Sequence, residues 1–98
     1  MINLASIIIH SPELQSVIQG NTAINIDKDK LTKIFNELIF NYPQLENKMF
    51  INKEEKILKG TLLLFHNKKI IRERNISEYN KVIHSKDELM IISAFAGG

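Results

Sequence analysis

The sequence predicts an α+β domain in which one main helix lies on a mixed β-sheet, and three observations lead there. Apolar runs stand near both ends of the chain, at Ile7-Ile8-Ile9 and at Leu89-Met90-Ile91-Ile92. Between them one stretch, Leu31 to Tyr42, repeats its apolar residues at three- and four-residue steps. A helix with a single apolar stripe needs a sheet to cover it.

Taken in order, Asn3 to Ile9 reads as a largely buried strand that stops before Pro12. Pro12 to Asn21 is mixed and ends in Gly20-Asn21, a turn signal. Thr22 to Asp27 alternates, placing Thr22, Ile24 and Ile26 on one face of a half-buried second strand. The helix follows, with Leu31, Ile34, Phe35, Leu38, Ile39 and Tyr42 as its stripe. Asp27 or Asp29 is placed to cap its start, and Pro43 ends it by disfavouring helical geometry at Tyr42. The stripe is core packing; burying Phe35 in it predicts a loss of about 3–5 kcal/mol on truncation to alanine.

Gln44 to Lys59 is charged and weakly patterned, and reads as a long loop with room for a short turn. Gly60 opens a third strand, Thr61 to Phe65, and Asn67-Lys68 turns into a short strand around Ile70-Ile71-Arg72. Ile76, Tyr79 and Ile83 anchor an irregular crossing before the last strand, Glu88 to Ala94. The order strand, strand, helix, strand, short strand, strand fits a β-grasp, or ubiquitin-like, sheet of four to five strands. There the first and last strands lie together at the sheet centre, which suits their unbroken apolar runs. Residues 1–94 are expected to form this domain, with residues 95–98 as a flexible tail leaving a central strand.

Composition narrows the function. Ninety-eight residues make one domain, able to bury roughly two-thirds of the unfolded surface. The formal charge of +2 does not imply nucleic acid. Lys68, Lys69, Arg72 and Arg74 form a basic cluster without interleaved aromatics. It reads as a protected sheet edge or as a docking surface for an acidic partner. The absence of cysteine excludes disulfides, a thiolate nucleophile and zinc–thiolate sites. His10, His66 and His84 fall in different elements, so no metal site is expected. No apolar stretch is long enough to span a membrane, and without a signal peptide the expected compartment is the cytoplasm.

The most informative feature is the end, Ala96-Gly97-Gly98, close behind a buried strand. Glycine loses the most backbone freedom on ordering and brings no side chain to bury, so two terminal glycines serve a small domain little. A carboxylate on a thin thread can enter a cleft where any Cβ would clash. Gly98 is therefore the candidate reacting group.

The stretch Asp87 to Gly98 resembles the C-terminal signature of the MoaD/ThiS sulfur carriers: an acidic turn, a last strand, an apolar link and a diglycine. Leu62 to Arg72 resembles that family's strand–Asn turn–strand hairpin, and the helix ending at Asn41-Tyr42-Pro43 stands in the corresponding place. In length the chain is most similar to the CysO-like, longer members. Lys86 stands where the family turn has glycine, so a different backbone is expected there. Ser93-Ala94 stands where molybdopterin-type members often have two prolines, which leaves the other sulfur pathways open.

The resemblance implies a carrier cycle. A ubiquitin-activating-type adenylyltransferase, MoeB/ThiF-like, would adenylate Gly98, and a sulfur donor would convert it to a thiocarboxylate. A downstream synthase would then receive the sulfur. The carrier itself would not be an enzyme, and it would bind no cofactor. ATP and magnesium would belong to the activating partner, since nothing here resembles a glycine-rich phosphate loop. Gly97 would let the thread bend, while Ala96 and Phe95 would pack in the mouth of the partner's channel. Lys68, Lys69, Arg72 and Arg74 would steer docking. Both this cycle and that of a ubiquitin-like protein modifier, which forms isopeptide bonds to lysines, begin with adenylation.

Overall fold

Strands β1 (Ala5–His10) and β7 (Glu88–Ser93), nearly the whole chain apart in sequence, pair in parallel with Ile7 opposite Leu89 and Ile9 opposite Ile91. A computed structural model describes residues 4–18, 23–52 and 54–93. Around the parallel pair the sheet is antiparallel, with order β2-β1-β7-β5-β6. Here β2 is Ala23–Ile26, β5 is Leu62–His66 and β6 is Lys69–Ile70. The expected mixed sheet, with first and last strands at its centre, is what forms. Thr22 and Ala94, expected at strand ends, lie outside the described residues.

Helix α2 (Leu31–Asn41) covers one face of the sheet. Leu31, Ile34, Phe35 and Leu38 are fully buried against Ile7, Ile9, Leu64, Leu89 and Ile91, and Ile39 and Tyr42 pack at the border. Tyr42 is the C-cap, as Pro43 requires. The N-terminus differs from expectation. Lys30 holds the N-cap position in an extended conformation with no side-chain cap, so neither Asp27 nor Asp29 caps the helix. Asp29 instead offers its carbonyl to the Ile83 amide at 2.8 Å, which ties the crossing segment to the helix start.

Two stretches carry more structure than their patterns predict. Pro12–Val17 forms a short helix, α1, with Pro12 in its first turn and Leu14 and Ile18 buried at an i, i+4 spacing. The segment expected to be a loop from Gln44 to Lys59 contains α3 (Leu45–Met49) and a small hairpin of β3 (Phe50–Asn52) and β4 (Ile57–Leu58). Leu45, Met49 and Phe50 are buried, and Phe50 meets Phe35 edge-to-face at 5.9 Å between ring centres. A single helical turn is too short to display a period, so charged neighbours hid these anchors. Ile76 and Ile83 are buried and Tyr79 packs beside them, so the irregular crossing is anchored as expected.

Candidate functional site

The tail residues Phe95, Ala96, Gly97 and Gly98 lie outside the described residues. The structure does define the strand that leads to them. Each residue of β7 from Leu89 to Ile92 has β1 on one side and β5 on the other. At its last described residue, the Ser93 hydroxyl donates to the Ser11 hydroxyl at 2.6 Å. Ser11 is only 1% exposed and stands at the N-cap of α1, where serine ordinarily caps, yet its side chain makes no cap bond. Its hydroxyl meets the end of β7 instead, across 82 positions of sequence.

Because the helices cover one face only, the central strands alternate between buried and half-buried residues. The apolar runs at Ile7-Ile8-Ile9 and Met90-Ile91-Ile92 are thus not buried on both faces, as their continuity suggested. Ile8, Met90 and Phe65 stand side by side on the outer face, with Ile92 and Leu63 in the next row. Ile70, opposite Phe65 on the edge strand, is 44% exposed. This contiguous apolar surface beside the tail-bearing strand was missed from sequence. Its signal is an unbroken apolar strand in a domain with one helical layer.

At the sheet edge, Asn67 and Lys68 both take left-handed backbone angles, φ 50 and 70, as a two-residue hairpin turn demands. Lys68, Lys69 and Arg72 are exposed. Arg74 is not part of that free surface. Its guanidinium is turned inward, donating to the carbonyls of Lys59 and of Leu62 (2.9 Å), with Leu58 at 3.5 Å. A groove of about 650 Å³ runs beside Lys69, Ile70 and Arg72, and its lining adds Lys81, which sequence reasoning did not single out.

The opposite end of β7 is held by a polar cluster. His66 Nε2 lies 2.8 Å from Asp87 Oδ2, and its Nδ1 lies 2.5 Å from the Tyr79 hydroxyl. An ionised carboxylate only accepts, so Nε2 donates to it, while Nδ1 pairs with the Tyr79 hydroxyl. Asp87 also accepts from Asn67 Nδ2 at 3.1 Å and from the His84 amide at 2.8 Å. Burial pushes the Asp87 carboxyl upward, but the bonds from His66, Asn67 and His84 and the His66 charge outweigh it. They bring the carboxyl down to about 2. Burial first, then Glu73 and Asp87, pushes the Tyr79 hydroxyl up. The next turn residue, Lys86, has φ 71, so it keeps a glycine-type backbone rather than the different one expected. Among the described residues no group of three or more His, Asp or Glu is arranged to hold a metal ion.

A single helical layer on a sheet of order β2-β1-β7-β5-β6, with β1 and β7 parallel, defines a β-grasp, ubiquitin-like domain. Solved structures agree. The crystal structure of SAMP1 from Haloferax volcanii matches with a TM-score of 0.72 at 17% identity, over 97% of this chain and 99% of that one. The solution structure of the small archaeal modifier protein 1 from Methanosarcina acetivorans matches with a TM-score of 0.70 at 21% identity, over 100% and 99%. A chain of the Amycolatopsis orientalis BexX/CysO complex matches with a TM-score of 0.70 at 15% identity, over 96% and 99%. At such identities the likeness establishes the fold. No protein-family model and no curated protein matches the sequence. Among the described residues no helix is long and apolar enough to cross a membrane.

Proposed function

We propose that this chain is a small ubiquitin-like sulfur carrier whose working group is the terminal carboxylate of Gly98. One observation carries the reading: the strand that leads to Gly97-Gly98 is the central strand of the sheet. Its outer face is apolar, and its last described residue is bound to a buried serine. That arrangement supports a rigid body presenting a glycine-ended segment to another protein. The carboxylate is a poor electrophile, because its charge is delocalised and its leaving group is oxide. In the activating partner, a carboxylate oxygen attacks the α-phosphorus of ATP and pyrophosphate leaves, giving an acyl-adenylate. A sulfur donor then displaces AMP and leaves a thiocarboxylate. That nucleophile passes its sulfur to a substrate held by a downstream synthase, in the formation of cysteine, molybdopterin, thiamine or a related metabolite.

The chain's own residues supply recognition. The outer face formed by Ile8, Phe65 and Met90 meets the activating enzyme, while Phe95 and Ala96 line its channel mouth. Lys68, Lys69 and Arg72 steer the encounter; Arg74, turned inward, does not. The CysO complex with BexX is a neighbour in keeping with docking on a synthase-like partner. Two neighbours named as small archaeal modifier proteins favour a second reading, isopeptide bond formation between Gly98 and a target lysine.

Deleting Gly98 tests both readings together. With the cognate adenylyltransferase, ATP–pyrophosphate exchange is expected to vanish while the unfolding temperature stays unchanged. Exchange that persists without Gly98 would refute the terminal carboxylate as the reacting group. A ladder of high-mass conjugates that disappears with Gly98 would favour the modifier over the carrier.

A further inference from the structure

We propose that the open edge of β6 is a docking groove for an extended acidic segment of a partner protein. Among the described residues, the sheet order leaves β6 unpaired on its outer side. The β5–β6 hairpin pairs His66 with Lys69, and the Ile71 amide donates to the Leu64 carbonyl at 2.8 Å. Antiparallel alternation therefore turns the amide and carbonyl of Ile70 away from β5 and towards the open side. Backbone partners for an added strand are already in place.

The groove lies along that edge. Side chains alternate across a strand, so Lys69 shares the face of buried Ile71, while Ile70 and Arg72 share the opposite face. All three of Lys69, Ile70 and Arg72 line the same groove of about 650 Å³, so it follows the strand edge rather than either face. Its far wall is the crossing segment, which contributes Tyr79 and Lys81. Lys69, Arg72 and Lys81 set three positive charges against the one carboxylate of Glu73.

Edge lysines also guard a sheet against aggregation, and Lys68 and Lys69 serve that purpose. Protection alone does not account for the rest. Lys81 comes from a different segment to the same groove, and an exposed Ile70 is a residue that a guarded edge avoids. Positive charge on both faces of an open edge, around one apolar anchor, suits a strand whose acidic side chains alternate with apolar ones. The occupant is a protein segment, because it must supply backbone hydrogen bonds as well as negative charge. The inference does not depend on activation of Gly98, since it concerns binding alone.

The test is an amide-resonance titration of the full chain with the capped hexapeptide Glu-Val-Asp-Val-Glu-Val at low ionic strength. Saturable shifts are expected at Ile70, Arg72, Tyr79 and Lys81, and they should weaken as salt is raised. Reversing K69E, R72E and K81E together should weaken binding by about tenfold or more, and K81E alone should do so in part. N-methylation of alternate peptide amides should weaken it as well. No saturable shift, equal binding of a peptide with lysine in place of its acids, or the same shifts from inorganic phosphate would each overturn the proposal. So would full binding by the N-methylated peptide.

Discussion

The two ends of β7 are held in different ways. At the leading end Asp87 accepts from His66, Asn67 and the His84 amide, while the Asn67 side chain also accepts from the Glu88 amide at 2.9 Å. At the trailing end the side-chain tie among the described residues is the Ser93–Ser11 hydroxyl pair, beside the ladders to β1 and β5. The leading end fixes the strand in the fold; the trailing end faces the segment that carries the proposed chemistry. A polar network placed far from the reacting terminus can be strong without hindering the terminus, whereas a lone hydroxyl pair can direct the strand's exit and still yield.

The contrast sets the order of expected effects. D87A removes a partly buried carboxylate and strands three donors, so it is expected to cost about 3 kcal/mol, read as a lowered denaturation midpoint. A loss no larger than that of S11A would erase the difference between the two ends. Acid should reproduce part of the D87A effect. The folded carboxyl sits at about 2, below the ordinary 3.8, so its contribution is present above the unfolded value. It is lost as pH falls through the folded one. Urea unfolding between pH 5 and pH 2 should therefore show a decline from about pH 4 downward that is flattened in D87N.

S11A should cost about 1 kcal/mol, the worth of one neutral hydrogen bond. S93A should cost the same, and the double variant no more than either, because one interaction is shared. Additive losses would show that the two hydroxyls act separately. The smallest effect has the opposite sign. Lys86 occupies a left-handed backbone position, so K86G should relieve steric cost and stabilise by about 0.5 kcal/mol, offset in part by glycine's entropy. Destabilisation by K86G would mean that its side chain holds the leading end.

The long elements were legible because periodicity survives over many residues. Leu31 to Tyr42 displays a helical face, and the runs around Ile8 and Ile91 mark the central strands. The short ones were not: α1 and α3 each depend on two buried residues at one helical spacing, which no pattern distinguishes from chance. Continuity of the apolar runs suggested burial on both faces, and only the single helical layer reveals that Ile8, Met90 and Phe65 face outward. His66 and Asp87 lie 21 positions apart and Ser11 and Ser93 lie 82 apart, so their contacts belong to topology. Arg74 read as a member of a basic cluster, but local composition cannot tell a side chain turned to carbonyls from one turned to water.

The most direct test of the central claim is the intact mass of the chain after incubation with its activating enzyme, ATP and a sulfide source. The account predicts a gain matching replacement of one terminal oxygen by sulfur, absent without ATP and absent when Gly98 is deleted. An unchanged mass under conditions where the same enzyme activates a known carrier would contradict it.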